Sequence, residues 1–215
     1  MQRPPCGVGA SVDSRPLPLH LRKPLDRSNG DFAVALLGLL DTDEQEVVRF
    51  LRLTGWRVEE PLGLTWDQVD REGEVLRLYA HETKGKAGRV FPFALAPELK
   101  ALLDGRWEKR NGPFVFHKDG NRIAYTTLHK HWKKACKSAG LAGRLIHDLR
   151  RTAAREMRRA GLSEGEIMKL CGWKTRAMFD RYNIIDEADL AAAVAKRFDG
   201  TVVAQSTLST EPATR

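Results

Sequence analysis

Four short segments, far apart in the chain, carry side chains that suit chemistry on a phosphodiester. Together they supply two guanidiniums, an ammonium, an imidazole, an indole N–H and a phenol, without a carboxylate cluster for a metal. Breaking a phosphodiester builds negative charge on its oxygens, which fixed cations and hydrogen-bond donors can neutralise. The inventory therefore suits attack by a tyrosine. The segments are residues 54–60, 83–85 and 147–150, and Gly172-Trp173 followed by Arg181-Tyr182.

The two arginines are the candidates for holding the phosphate oxygens. Arginine suits this role because its planar guanidinium can bind two oxygens at once. Arg57 and Arg150 come from segments more than ninety residues apart. Gly55 permits a tight turn before Arg57, and Glu60, three residues after Arg57, could orient its guanidinium along a helix. Taken alone, each arginine would be interpreted as a surface salt-bridge partner.

His147 and Tyr182 supply the groups that could exchange a proton and attack phosphorus. His147 and Arg150 stand three positions apart, so one helical turn would direct both toward the same target. An imidazole can take up a phenol's proton near neutral pH. The phenol of Tyr182, with an ordinary pKa of about 10, needs such a base or a strong positive field before it can attack. Each pattern alone is common in packing and surface roles.

Lys84 and Trp173 complete the candidate set. Lys84 lies in a predicted hairpin loop, from which its ammonium could reach into a groove. Lys86 competes for the same role, and a solvated turn lysine is the simplest alternative for either residue. The indole N–H of Trp173 can donate to a phosphate oxygen but cannot accept a proton. Trp173 is therefore predicted to contribute electrostatics and packing, which a core tryptophan would also do.

In this order and spacing, the segments resemble the catalytic domain of tyrosine recombinases, the phage-integrase family. The resemblance covers about residues 40–198. It implies site-specific DNA recombination or integration for a mobile genetic element, by strand cleavage and rejoining through a 3′-phosphotyrosyl intermediate. It also implies that no cofactor or metal is needed, and that a homotetramer acts on paired sites in double-stranded DNA.

The same resemblance implies a role for each candidate residue. The nucleophile would be Tyr182, and Lys84 would be the general acid for the departing 5′ oxygen. The scissile phosphate would be contacted by Arg57, His147 and Arg150. Trp173 fills a position that is usually histidine in the family, though tryptophan also occurs there.

Composition agrees with a nucleic-acid partner. The chain has 215 residues, a net charge of +8 and a pI near 9.6, which favour a polyanion. The longest apolar run, residues 32–40, is too short for the ~20 residues that cross a bilayer. Three cysteines without metal-ligand spacing indicate a reduced compartment. We therefore expect a cytoplasmic protein, acting on nucleoid-associated DNA.

The predicted fold is mainly α with a small antiparallel β-sheet. Asp41 or Thr42 can cap a first core helix. Residues 74–83 and 89–93 are strand-like and are joined by a loop with two glycines, and a third strand is possible around residues 66–70. The chain is predicted to be mostly helical from Thr126 onward. A capping box at Ser163 and Glu166 starts one helix, and a last helix starts near Asp186.

Three regions are predicted along the chain: a flexible basic arm over residues 1–30, the catalytic domain over 31–199 and a disordered tail over 200–215. A lysine-rich face on the helix after Thr126 would be a solvated surface in isolation, but beside a phosphodiester site it could contact the DNA backbone. The predicted DNA contacts are Lys86, Lys130, Lys133, Lys134, Arg151 and Arg181.

Two features depart from the family's pattern. Only some forty residues precede the first matching helix, whereas integrases carry a helical DNA-clamping domain there. We therefore expect a chain that grips DNA from one side, as a truncated gene or a mis-assigned start codon would produce. Pro61 is the second departure, because proline is tolerated only in the first turn of a helix. A helix starting at Thr54 would displace Arg57.

Three other functions are compatible with some of these residues. A non-catalytic DNA-binding remnant of an integrase would keep the residues without achieving synapsis. A type IB topoisomerase-like enzyme uses a similar residue set to relax supercoils, although Trp173 and the integrase-like tyrosine segment argue against it. A generic basic nucleic-acid-binding protein would leave the coincidence of four motifs unexplained.

Overall fold

Helices make up most of the chain that the computed structural model describes, which is residues 31–82, 88–182 and 187–206. The helices are α1 (Asp31–Leu37), α2 (Thr42–Thr54), α3 (Glu59–Gly63), α4 (Pro97–Glu108), α5 (Tyr125–Ser138), α6 (Asp148–Arg159), α7 (Glu164–Cys171), α8 (Arg176–Tyr182) and α9 (Glu187–Ser206). The strands are β1 (Val69–Asp70), β2 (Val75–Leu78), β3 (Arg89–Pro92), β4 (His117–Lys118) and β5 (Asn121–Arg122).

The predicted antiparallel sheet is present, in the order β1-β2-β3. The strand predicted over residues 74–83 is shorter than expected. Leu78 pairs with Arg89 at the start of β3, and a 3₁₀ turn over Ala80–Glu82 follows. The third strand shrinks to β1, because residues Trp66–Gln68 form another 3₁₀ turn. β4 and β5 form a separate two-stranded hairpin.

The helix α2 forms as its sequence predicts. The Asp41 carboxylate accepts a hydrogen bond from the Glu44 N–H at 2.9 Å and so caps the first turn. The helix ends at Gly55, whose φ of +64° is the left-handed conformation that glycine adopts without strain. The buried face of α2 packs against α6, which carries part of the candidate site.

Aromatic side chains join the helices to the sheet. Trp56, which directly follows the turn after α2, is 1% exposed. Its ring meets Phe50 of α2 edge-on at 5.4 Å and Phe91 of β3 at 6.3 Å. These contacts hold Trp56 in the core. They therefore fix the position of the backbone from which the neighbouring Arg57 side chain extends.

A second, smaller cluster packs α6, α7 and α8 together. Trp173 and Phe179 belong to it, and the centres of their rings lie 5.9 Å apart. The predicted capping box at Ser163 and Glu166 starts α7, and Gly172, at a φ of +67°, ends it. The cluster thus fixes the Gly172-Trp173 segment and the helix that ends at Tyr182.

The last helix, α9, runs past the boundary predicted at residue 200 and ends at Ser206. Asp189 anchors it to α6, accepting hydrogen bonds from Arg158 at 2.5 Å and Arg159 at 2.8 Å. In the parts of the chain that the structure describes, no helix combines the length and hydropathy needed to cross a bilayer. The predicted arm, residues 1–30, lies outside the described residues.

We expect Gly55→Ala to lower the free energy of unfolding. A left-handed conformation costs a non-glycine residue about 1–3 kcal/mol, and an added Cβ would lie 2.8 Å from the Cys171 sulfur. Gly105→Ala is the control, because Gly105 lies inside α4 with no neighbouring atom within 4 Å of an added Cβ. It should be neutral or stabilising by about 0.5–1 kcal/mol. Denaturant unfolding measures both, and equal stabilities would contradict the prediction.

Candidate active site

The Arg57 segment is held by Glu60. The Glu60 carboxylate accepts a hydrogen bond from the Arg57 backbone N–H at 2.7 Å, and its other oxygen lies 3.4 Å from the Arg57 guanidinium. The predicted contact between these side chains is therefore present. Pro61 is the third residue of α3, in the first turn, where a missing N–H costs little. The helix begins after Arg57, so Pro61 does not displace the arginine.

Arg150 is buried on α6 and joins two distant segments. It is 2% exposed, and its guanidinium donates to the carbonyl oxygens of Gly55 and Cys171, at 2.6 Å each. The carbonyls belong to the ends of α2 and α7, where helices leave acceptors unsatisfied. Burial lowers the pKa of Arg150 to about 10, which leaves the guanidinium charged at neutral pH.

The Trp173 ring packs against the guanidinium of Arg150. The Arg150 guanidinium carbon lies 5.0 Å from the centre of the indole ring, within the range of a cation–π contact. Trp173 is 4% exposed and packs edge-on against Phe179. These contacts are compatible with the predicted packing role of Trp173. In this structure the residue packs against the Arg150 guanidinium.

His147 lies at the start of α6, next to the buried Ile146. The turn before the helix is fixed by Asp148, whose carboxylate accepts a hydrogen bond from the Leu145 N–H at 2.9 Å. Partial exclusion of water, and then the positive charge of Arg150, lower the pKa of His147 below its ordinary value of 6.5. The imidazole is therefore mainly neutral at pH 7 and can accept a proton.

A cavity of about 160 Å³ opens between α2, α5 and the start of α6. Two residues at the start of α5, Tyr125 and His129, belong to it, with their rings stacked 5.5 Å apart. The sequence does not identify either as a site residue, because the pattern of residues on one face of a helix does not show which residues pack against that face. The lining residues are Leu51, Trp56, Val58, Tyr125, His129, Leu145, Ile146, His147 and Arg150.

Sequence reasoning missed a buried arginine that contacts the site, Arg89 of β3. Its side chain is 3% exposed, forms an ion pair with Glu60 and donates to the Cys171 carbonyl at 2.9 Å. The guanidinium also lies 4.9 Å from the Trp56 ring centre. The alternation of residues along the strand could have identified Arg89 as buried. Arg89 and Phe91 lie on the same face of β3, and that face is buried.

The structure leaves part of the predicted set undescribed. Lys84 and Lys86 lie in residues 83–87, outside the described part of the chain. The backbone of Arg181 and Tyr182 completes α8, but the description does not extend to their side chains. The described members, Arg57, His147, Arg150 and Trp173, come together from three segments of the chain.

The predicted backbone-contacting residues that are described lie on the surface. Lys130, Lys133 and Lys134 are exposed on α5. Arg151 is exposed on α6, with its guanidinium 3.8 Å from the Asp148 carboxylate. These positions allow contact with a polyanion.

One group in the described part of the chain could converge on a metal ion. Asp41, Glu44 and His131 offer ligand atoms within 4.8 Å of one another. Each of the three already has a partner. The Asp41 carboxylate accepts a hydrogen bond from the Lys118 ammonium at 2.9 Å, and the Glu44 carboxylate lies 2.6 Å from a ring nitrogen of His131. None of the three lines the cavity beside His147 and Arg150, so the candidate chemistry does not use them.

Comparison with known proteins decides the family. A model of the phage integrase family matches residues 33–188, which is most of the chain. The chain belongs to the phage integrase family. The integrase of Salmonella phage P22 is 26% identical over 149 residues, covering 64% of this chain and 38% of that protein. The present chain therefore spans about two fifths of the length of the phage P22 integrase.

Solved structures confirm the predicted fold. XerA recombinase matches with a TM-score of 0.64 and 22% identity, over 79% of this chain and 64% of that one. A lambda integrase (residues 75–356) dimer bound to a COC′ core site matches with a TM-score of 0.63 and 19% identity, over 74% and 61% respectively. The mainly α fold with a small antiparallel sheet is thus that of tyrosine recombinase catalytic domains.

We expect the imidazole of His147 to titrate below pH 6.5, and Arg57→Gln to raise its pKa, because the Arg57 charge contributes to the lowering. NMR titration of the histidine ring protons, with His147→Asn to assign the signal, measures both. The control is Arg71→Gln, since Arg71 pairs with Asp104 and does not contribute to the shift.

The same shift predicts how stability depends on pH. The unfolded chain binds more protons than the folded chain between the lowered pKa and 6.5, so the free energy of unfolding should rise with pH across that window. A His147 pKa at or above 6.5 would contradict both expectations.

Proposed function

We propose that this chain cleaves and rejoins double-stranded DNA at specific sites through a 3′-phosphotyrosyl intermediate. The observation that carries the proposal is the convergence at Arg150. Its hydrogen bonds to the carbonyls of Gly55 and Cys171 bring the Arg57 segment and the Trp173 segment to the cavity that His147 lines. Membership of the phage integrase family indicates the class of reaction. The guanidiniums of Arg57 and Arg150 and the imidazole of His147 are groups suited to that reaction.

The arginines would hold the scissile phosphate. A guanidinium has five N–H groups, of which Arg150 uses two for the carbonyls, so others are left to bind an anion. Arg57 is partly exposed and is oriented by Glu60. Charge that develops on the non-bridging oxygens would thus meet donors that are already in place, which lowers the barrier most effectively.

Proton transfers would fall to His147 and Lys84. Neutral His147 accepts the phenolic proton as the Tyr182 oxygen bonds to phosphorus, and the bond from phosphorus to the 5′ oxygen breaks. Lys84 gives its proton to that departing oxygen. In the second half of the reaction a 5′ hydroxyl attacks, the tyrosine leaves and the protons return. The phosphotyrosyl bond conserves the energy of the original bond, so rejoining needs no nucleotide cofactor.

Contacts to the DNA backbone would set register around the site. We assign them to the exposed Lys130, Lys133, Lys134 and Arg151, together with Lys86 and Arg181. Among the structural neighbours, lambda integrase has been crystallised as a tetramer bound to a Holliday junction. We propose the same kind of assembly, a homotetramer on paired DNA sites, for this chain.

A covalent-trapping assay tests the proposal. Labelled, nicked duplexes tiled from the DNA flanking the gene are mixed with protein, and denaturing gels report label that migrates with protein. We expect an adduct that Tyr182→Phe abolishes while non-covalent binding stays within a few-fold. Tyr79→Phe and Tyr125→Phe are the matched controls, and Tyr125 is the more stringent because it lines the cavity. Both should retain the adduct.

Each contrary outcome has its own meaning. An adduct that persists in Tyr182→Phe would remove Tyr182 as the nucleophile. Loss of the adduct in Tyr125→Phe alone would transfer that role to Tyr125. Binding to every duplex without any adduct would favour the non-catalytic DNA-binding remnant.

We also expect Arg150→Lys to slow cleavage strongly. Lysine keeps the charge, but its single nitrogen cannot replace the planar fork whose two terminal nitrogens bind different carbonyls. Losing one donor to a developing negative charge commonly costs ~10²–10³ in rate. Single-turnover cleavage is measured at a temperature at which thermal melts show the variant to be folded. An unchanged rate would show that Arg150 only supports the fold.

A further inference from the structure

Arg89 occupies a position that strand alternation reserves for the core. Arg89 and Phe91 lie on the buried face of β3, while Val90 and Pro92 lie on the other. Arg89 is 6% exposed, and its guanidinium lies over the Trp56 ring. A buried charge of this kind is costly unless other groups compensate for it.

Two acceptors compensate for that charge, and each belongs to the candidate site. Arg89 donates to Glu60, the carboxylate that also binds the backbone and side chain of Arg57. It donates as well to the Cys171 carbonyl, which accepts from Arg150. Arg89 is therefore one contact away from both arginines that would hold the phosphate.

The chain leaves room for this guanidinium at Gly172. A Cβ on Gly172 would lie 2.7 Å from the central guanidinium carbon of Arg89, closer than real Cβ atoms approach. The same glycine ends α7 in the left-handed conformation, immediately before Trp173. The glycine before Trp173 thus accommodates the Arg89 side chain as well as the turn.

Stability alone accounts poorly for Arg89. Buried ion pairs repay little more than the cost of removing their charges from water, and apolar residues of similar size often replace them without loss. The Nε atom of Arg89 is buried and has no hydrogen-bond partner among the residues that the structure describes, which adds to the cost. Such a group is more readily explained by the geometry that it fixes.

We propose that Arg89 is a positioning residue that fixes Arg57 and Arg150 relative to each other, through Glu60 and the Cys171 carbonyl. Arg89 is also the first residue of β3. This inference rests on the proposed function and deepens it. It assigns to Arg89 no contact with DNA.

The test compares two conservative substitutions of buried arginines, Arg89→Lys and Arg106→Lys. Arg106 is a matched control because it is 1% exposed, pairs with Asp43 and Glu46, and binds two backbone carbonyls away from the cavity. Both variants should lose thermal stability. Cleavage is then measured in single turnover, with saturating nicked DNA, at a temperature at which both are folded.

We expect Arg89→Lys to slow cleavage by about 10- to 100-fold, since small displacements of catalytic groups have effects of that size. DNA affinity should stay within a few-fold, and Arg106→Lys should cleave at nearly the wild-type rate. In an Arg57→Lys background, adding Arg89→Lys should cost much less, because the two residues act through one contact. A wild-type rate in Arg89→Lys, equal slowing in both variants or additive effects would overturn the proposal.

Amide exchange provides a reading that does not depend on activity. The Arg57 N–H donates to Glu60, so its hydrogen exchange should accelerate in Arg89→Lys and remain unchanged in Arg106→Lys. If the wild type forms no Tyr182-dependent adduct, the proposed function fails. The exchange rates then decide separately whether Arg89 holds the Arg57 segment, and unchanged exchange would reject that role.

Discussion

The carbonyl oxygen of Cys171 is the acceptor on which the candidate site depends. It lies at the end of α7, where a helix leaves carbonyl groups unsatisfied and its dipole is negative. Two guanidiniums use it, Arg150 from α6 and Arg89 from β3. One backbone atom therefore joins the sheet to the helices that follow it. Trp173, two residues later in the chain, supports Arg150 from below.

The arrangement concentrates positive charge where the fold gains little from it. Arg57, Arg89 and Arg150 lie close together, and Glu60 is the carboxylate that pairs with two of them. Burial is the main cause of the lowered pKa values of Arg150 and His147, and the positive charges of neighbouring arginines lower both further. A site that destabilises its own cations in the absence of an anion is ready to bind one. Phosphate would relieve that repulsion, as the proposed function requires.

The sequence predicted local structure well and long-range pairing poorly. The Asp41 cap, the Ser163–Glu166 capping box and the sheet follow from nearby residues, so patterns within a short window identify them. The hydrogen bonds of Arg89 and Arg150 join residues up to 95 positions apart, and no local pattern encodes such contacts. A strand arginine after a basic loop is ordinarily interpreted as solvent-facing, which is why Arg89 was missed. The family resemblance supplied the assignments of Lys84 and Tyr182.

Mass-spectrometric mapping of the protein–DNA adduct would show directly whether Tyr182 is the nucleophile. The trapped complex is digested with nuclease and protease, and the peptide that retains a nucleotide is identified. The proposed function predicts a nucleotide joined through a 3′ phosphate to Tyr182, with a free 5′ hydroxyl on the released strand. A nucleotide on any other residue, or a 5′-phosphate linkage, would contradict it.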